Sequence, residues 1–115
     1  MSVMSRPLDD LDLSAVELFV AAAELGSISK AAARLHLSQP VASRKLRELE
    51  RRLGFEALHR SAVGVELSPR GVRFLPVAHE LLAGARRFRD EASALAAGDQ
   101  GVVCLLYTSP SPRDA

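Results

Sequence analysis

Apolar residues recur along this chain in three short helical stretches, one brief alternating stretch and one long helical stretch. In "SAVELFVAAAELG" the apolar positions keep helical spacing, Ser14 and Glu17 stand at the separation of a capping box, and Gly26 follows the last turn. A helix over about 15–25 is expected. "SISKAAARLHL" sets Ile28, Ala31, Ala32 and Leu35 on one face behind Ser27 or Ser29 as cap, which predicts a second helix over about 28–36. His36 and Leu37 leave so short a connection before Ser38 that the next helix must cross steeply, and alanines 31 and 32 permit the close approach.

"SQPVASRKLRELERRLG" reads as a third helix over about 39–53, capped by Ser38 and closed by Gly54. Pro40 is cheap in the first turn, where the amides have no intrahelical acceptor. At about 100° per residue, Ala42, Leu46, Leu49 and Leu53 share one stripe, while Pro40, Ser43, Arg44, Arg47 and Arg51 lie opposite. The alternating residues of "ALHRSAVGVEL", 57–67, predict a two-stranded ribbon turning near Ala62 to Gly64. Ser68 then caps a long helix that begins at Pro69, runs to about Ala97 and stops at Gly98, with Pro76 expected to bend it. Along it Phe74, Ala78, Leu81, Ala85, Phe88, Ala92 and Leu95 alternate steps of four and three, the spacing of a helix that packs along another helix. So long a helix exceeds what a small domain covers, so the same helix of a second copy is the expected partner; the competing expectation is that the stripe covers the domain's own core.

A chain of 115 residues buries one modest core. No apolar run approaches bilayer length, and "MSVMSRPLDDLDL" carries no export signal, so a soluble cytoplasmic protein without a membrane partner is expected. Cys104 is the only cysteine and no Cys/His cluster has metal-ligand spacing, so neither an internal disulfide, a metal nor a cofactor is expected. No nucleophile with its base, carboxylate pair or phosphate loop can be assembled, which argues against an enzyme. The net charge of +1 hides a strong polarity: −4 over residues 1–28, +5 over 29–60 and 0 over 61–115. Positive charge gathers around the third helix, where a polyanion feels it.

The order of elements, with "LFVAAAELGSISKAAARLHLSQPVASRKLRELERRLG", "ALHR" and "LSPRG", resembles the N-terminal winged helix-turn-helix of the LysR-type transcriptional regulators. Gly26-Ser27, Ala31-Ala32, Leu35, Ser38-Gln39-Pro40, Ser43, Leu49-Glu50, Leu53-Gly54, Arg60, Leu67 and Gly71 all stand at that family's spacings, and the resemblance covers about residues 13–98. It implies a mainly α fold, with a winged helix-turn-helix over 13–68 and a linker and dimerisation helix over 69–98, in a bacterial regulator that binds double-stranded operator DNA as a dimer or tetramer.

On that resemblance the third helix enters the major groove. Gln39 then suits an adenine edge, Arg44 a guanine, Pro40 a thymine methyl, and Ser43 a base or a phosphate. Arg47 and Arg51 reach phosphates, joined by Ser27 and Lys30 at the start of the second helix, while Arg60 serves the DNA backbone or the fold. The competing roles are local ones: Gln39 as a capping group, Ser43 bonded to a carbonyl of its own helix, and Arg47 and Arg51 paired with Glu48, Glu50 or Glu56. Two positions depart from the family pattern. Val63 stands in the wing where an arginine is frequent, and Val41-Ala42 reverses the usual order of small and large residue.

A different class of function, a helical protein-interaction module, requires an apolar outward face on the third helix; Ser43, Arg44, Arg47 and Arg51 there argue the other way. Members of the family continue into a domain that senses a small effector. "GDQGVV", 98–103, resembles the first steps toward that domain, so an effector partner belongs to residues this chain lacks. "CLLYTSPSPRD", 104–114, instead resembles a translated sequencing adapter, and residues 104–115 are expected to form a disordered tail.

Overall fold

The computed structural model of the chain describes residues 11–101 and builds them from four helices and one antiparallel two-stranded ribbon. Helix α1 (Leu13–Leu25) is followed by α2 (Ile28–Arg34), α3 (Gln39–Leu53), β1 (Leu58–Ser61), β2 (Gly64–Leu67) and α4 (Pro69–Gly101). The chain divides into two compact units, the first ending at Leu82 and the second beginning at Ala83.

Helix α1 begins earlier than the Ser14–Glu17 spacing predicts. Asp12 is its cap, because the Asp12 carboxylate accepts from the Ser14 amide at 3.0 Å and from the Ser14 hydroxyl at 2.7 Å. Lys45 Nζ donates to the same carboxylate at 2.9 Å, which ties the start of α1 to the middle of α3. Helix α2 is shorter than expected. Its cap is Ser27, and the helix stops at Arg34 because His36 turns left-handed at φ 61° and the Leu37 amide folds back onto the Ala32 carbonyl at 2.8 Å. Helix α3 has the expected bounds and the expected Ser38 cap, whose hydroxyl accepts from the Val41 amide at 3.3 Å.

The core of the first unit joins Val16, Leu18, Phe19 and Ala22 of α1 to Ala31 and Ala32 of α2, Ala42, Leu46 and Leu49 of α3, Leu58 of β1, and Ala78 and Leu82 of α4. Each fully buried large side chain, such as Leu18, Phe19, Leu46 or Leu58, contributes about 1.5–3 kcal/mol relative to exposure. Leu53, the last member of the α3 stripe, packs at its margin.

The ribbon pairs Leu58 with Leu67 and Ser61 with Gly64, leaving Ala62 and Val63 at its tip. A two-stranded ribbon needs ties to the body. The Val65 amide supplies one to the Gly26 carbonyl at 3.2 Å. The backbones meet so closely there that a Cβ on Gly64, whose φ is +134°, would run into the Gly26 carbonyl oxygen. Ser68 caps α4 through the Gly71 amide at 2.9 Å and donates to the Glu56 carbonyl at 2.6 Å.

Helix α4 passes through Gly98 and ends at Gly101, against the expectation of a stop at Gly98. A glycine ends a helix where the chain turns left-handed, as Gly26 and Gly54 do; Gly98 keeps a negative φ. Residues 98–101 are thus helical rather than the approach to a strand, and residues 102–103 and the tail expected over 104–115 lie outside the described residues. The heptad stripe divides. Phe74 packs on Phe19 and Phe55 with ring centroids 5.6 Å apart in each pair, and Ala78 is buried, so these two serve the domain's own core. Leu82, off the stripe, is buried while Leu81 on it is 40% exposed. Ala85 is half-buried, and Phe88, Ala92 and Leu95 are exposed, Phe88 at 75% and Leu95 at 67%.

Candidate nucleic-acid interface

The apolar stripe of α3 anchors one side of that helix in the core and leaves the other outward. Gln39, Pro40, Arg44, Arg47 and Arg51 are exposed, and Ser43 is half-buried. The cations of α3 then fall into two sets. Lys45 is bound to Asp12 and to the Ser14 hydroxyl at 3.2 Å; Arg51 and Arg52 both reach Glu48, Arg52 through Nε at 3.1 Å. Arg44 and Arg47 have no hydrogen bond or ion pair among the described residues. Lys30, exposed at the start of α2, likewise makes no side-chain pair among them.

The pairings leave their mark on the acids. The hydrogen bond from Lys45, seconded by that from Ser14, holds the Asp12 carboxyl at about 2 instead of its ordinary 3.8. The hydrogen bond from Arg51 lowers Glu48 as well.

A groove of about 290 Å³ runs between α3 and the ribbon. Ser27, Ser29, Gln39, Ser43 and Arg47 line it together with Arg60, Ser61, Ala62, Gly64 and Val65. Its rim therefore gathers hydroxyls, an amide and two guanidinium groups from three elements far apart in the chain. Within it Gln39 Nε2 donates to Ser43 Oγ at 3.2 Å, so Gln39 is not spent on capping and Ser43 accepts a side chain's proton. Ser27 Oγ accepts from the Lys30 amide at 3.1 Å, a capping bond that leaves its hydroxyl proton available.

The structure brings Ser27, Gln39, Ser43 and Arg47 to one groove and leaves Pro40 and Arg44 exposed on the same helix. Arg51 is engaged by Glu48 on the exposed surface, the local role weighed for it above. Arg60 is turned toward the protein: Nη1 and Nη2 both donate to Glu50 Oε1 at 3.3 Å, and its buried Nε has no partner. Val63 at the ribbon tip is 95% exposed and offers no charge. Glu50 stands at the family's spacings and is one of the partners weighed above for Arg47 and Arg51, but sequence reasoning missed its bond to Arg60. An acid ten residues before an arginine of the next element is too common a pattern to single out.

Among the described residues no group of three or more His, Cys, Asp or Glu side chains could hold a metal, and no helix is long and apolar enough to cross a membrane.

Residues 13–72 match the model of a family described as bacterial regulatory helix-turn-helix protein, lysR family. The HTH-type transcriptional regulator TfdT of Cupriavidus pinatubonensis is 39% identical over 97 residues, 84% of this chain and 42% of TfdT. The HTH-type transcriptional regulator TcbR of Pseudomonas sp. is also 39% identical over 97 residues, 84% of this chain and 33% of TcbR. The chain thus spans less than half the length of these curated relatives. Among solved structures, the crystal structure of a CbnR_DBD-DNA complex superposes with a TM-score of 0.69 at 40% identity, over 75% of this chain and 99% of that one. That of a BenM_DBD/catB site 1 DNA complex gives 0.71 at 33% identity, over 76% and 99%.

Proposed function

This chain belongs to the LysR family of bacterial helix-turn-helix regulators, and from that membership we propose that its first unit binds double-stranded DNA sequence-specifically, with α3 lying in the major groove. One observation carries the reading. Every cation on α3 except Arg44 and Arg47 has a carboxylate partner in its own subunit, and those two stand exposed on the outward side. An unpartnered arginine keeps its full set of donors for a guanine edge or a phosphate.

In this reading Arg44 pairs with a guanine, Gln39 with an adenine after releasing Ser43, and Pro40 touches a thymine methyl. Arg47, Lys30 and Ser27 meet phosphates, and Ser43 takes either a base or a phosphate. Arg51 contributes only after leaving Glu48, and Arg60 acts on the fold. The exposed part of the α4 stripe, Phe88, Ala92 and Leu95, meets the same helix of a second copy, so that two recognition helices address two half-sites. The whole protein is then a transcription regulator whose effector sensing lies in residues other than these.

Selection of duplexes from a random-sequence pool by the purified chain tests this. A short shared sequence is expected among the enriched duplexes; equal affinity for those and for scrambled DNA at physiological salt is the result that defeats it. Arg44→Ala should cut discrimination at one base pair by about 1–3 kcal/mol, whereas Arg47→Ala should weaken all duplexes alike and lower the salt slope by about 1.

A further inference from the structure

We propose that Glu50 is a positioning residue for DNA recognition: it fixes the ribbon against the recognition helix and so holds the groove between them at the width a DNA strand requires. This rests on the DNA-binding reading above. Glu50 sits near the end of α3 with a side chain only 12% exposed. Oε2 accepts from the Ala57 amide at 2.9 Å and from the Leu58 amide at 3.0 Å, the residues that lead into β1. Oε1 accepts from both terminal nitrogens of Arg60, at 3.3 Å each, in the same strand. Three of the four bonds therefore cross from the recognition helix to β1, and the fourth holds Ala57, the residue just before it.

The other backbone ties of the ribbon go elsewhere. Val65 is bound to the corner after α1, and the Ser68 amide to the Ala57 carbonyl at 2.9 Å, so neither sets the distance from α3. Arg60, Ser61 and Ala62 of the ribbon and Gln39, Ser43 and Arg47 of α3 all line the groove, and Glu50 joins the two elements that carry them. The chemistry requires a carboxylate. Four donors converge on its two oxygens, and an amide in its place offers one oxygen and turns an NH2 group against either Arg60 or the two backbone amides. Arg60 has little other recourse, since its Nε is already buried without a partner.

The test compares wild-type chain, Glu50→Gln and Glu50→Ala, using the duplex that wild type enriches from a random pool. Circular dichroism first gives the folded fraction of each at the assay temperature. Binding is then followed against salt, on that duplex and on one altered at the base pair assigned to Arg44. A repositioned ribbon loses its hydroxyl and backbone contacts to the DNA strand, while the recognition helix keeps its bases and Arg47 and Lys30 keep their phosphates. Expected, then, are a folded Glu50→Gln protein with affinity per folded molecule lowered about tenfold or more on both duplexes, an unchanged salt slope, and unchanged discrimination at the Arg44 base pair. An affinity that is unchanged, or that falls only in proportion to the folded fraction, overturns the proposal, and so does lost discrimination at the Arg44 base pair. Glu50→Gln keeps an acceptor for the backbone amides and decides the matter if Glu50→Ala is unfolded. Loss of selectivity in wild type itself would be a failure of the DNA-binding reading, and it shows before any variant is measured.

Discussion

Replacing Phe74 by alanine separates the two fates of the α4 stripe. The heptad spacing puts Phe74 and Phe88 on one line, yet Phe74 lies half-buried against Phe19 and Phe55 while Phe88 is 75% exposed. Truncating a core phenylalanine costs about 3–5 kcal/mol, and partial cover puts Phe74→Ala at the low end, about 3 kcal/mol. Two ring contacts, each worth about 0.5–1.5 kcal/mol beyond buried area, are lost within that sum. Against a total stability of about 5–15 kcal/mol this is a large share. In a urea titration followed by far-UV circular dichroism, a slope near 1 kcal/mol per molar turns it into a midpoint shift of roughly 3 M. The shift should not depend on protein concentration, because the contacts lie within one subunit. Phe88→Ala should do the opposite, costing less than about 0.5 kcal/mol in dilute protein and more as concentration rises and dimers form. A Phe74→Ala shift under about 1 kcal/mol, or one that grows with concentration like that of Phe88→Ala, would assign the ring to a subunit contact and refute the division of the stripe.

Further outcomes follow from single contacts. Gly64→Ala should lose about 1–3 kcal/mol, since the left-handed backbone and the Gly26 carbonyl both oppose the added methyl; Gly84→Ala, in a helix with nothing within 4 Å of the new carbon, should gain about 0.5–1 kcal/mol, and equal thermal shifts for the two would contradict the contact. Phe88→Glu places charge on the exposed stripe and should convert a dimer to a monomer in sedimentation velocity; an unchanged mass argues against this stripe as the subunit contact. Asp12 has a folded-state value depressed to about 2 from 3.8, so its contribution is complete above about 4 and disappears as pH falls toward 2. Asp12→Asn keeps the cap without the charge. The stability gap between it and wild type should therefore close across that window, and a constant gap would count against the Lys45 bond as the source.

The elements with a local cause were legible in the sequence. Ser38, Pro40 and Gly54 bracket α3 because caps, an early proline and a left-handed terminal glycine act on their own few neighbours, and the stripe of Ala42, Leu46 and Leu49 is a matter of helical period alone. The outward row of Pro40, Arg44 and Arg47 follows from the same period. Where the expected bounds missed, the cause was a different cap or a glycine that does not turn. Asp12 rather than Ser14 caps α1 and Lys45 on α3 reinforces it; Gly98 keeps a negative φ inside α4, unlike Gly26 and Gly54.

What the tertiary structure alone decided is the use of charges that pair between elements. The pairing of Arg51 with Glu48 is local to α3 and was open to the sequence, whereas Lys45 of the same helix is taken by Asp12 at the start of α1. Arg60 and Glu50 are ten residues apart and belong to different elements; only folding brings the guanidinium to 3.3 Å from the carboxylate. Hydrophobic period is a property of neighbours along the chain, so a sequence expresses it directly. The partner of a charge is set by distances of a few ångströms between elements, and those exist only once the core has packed.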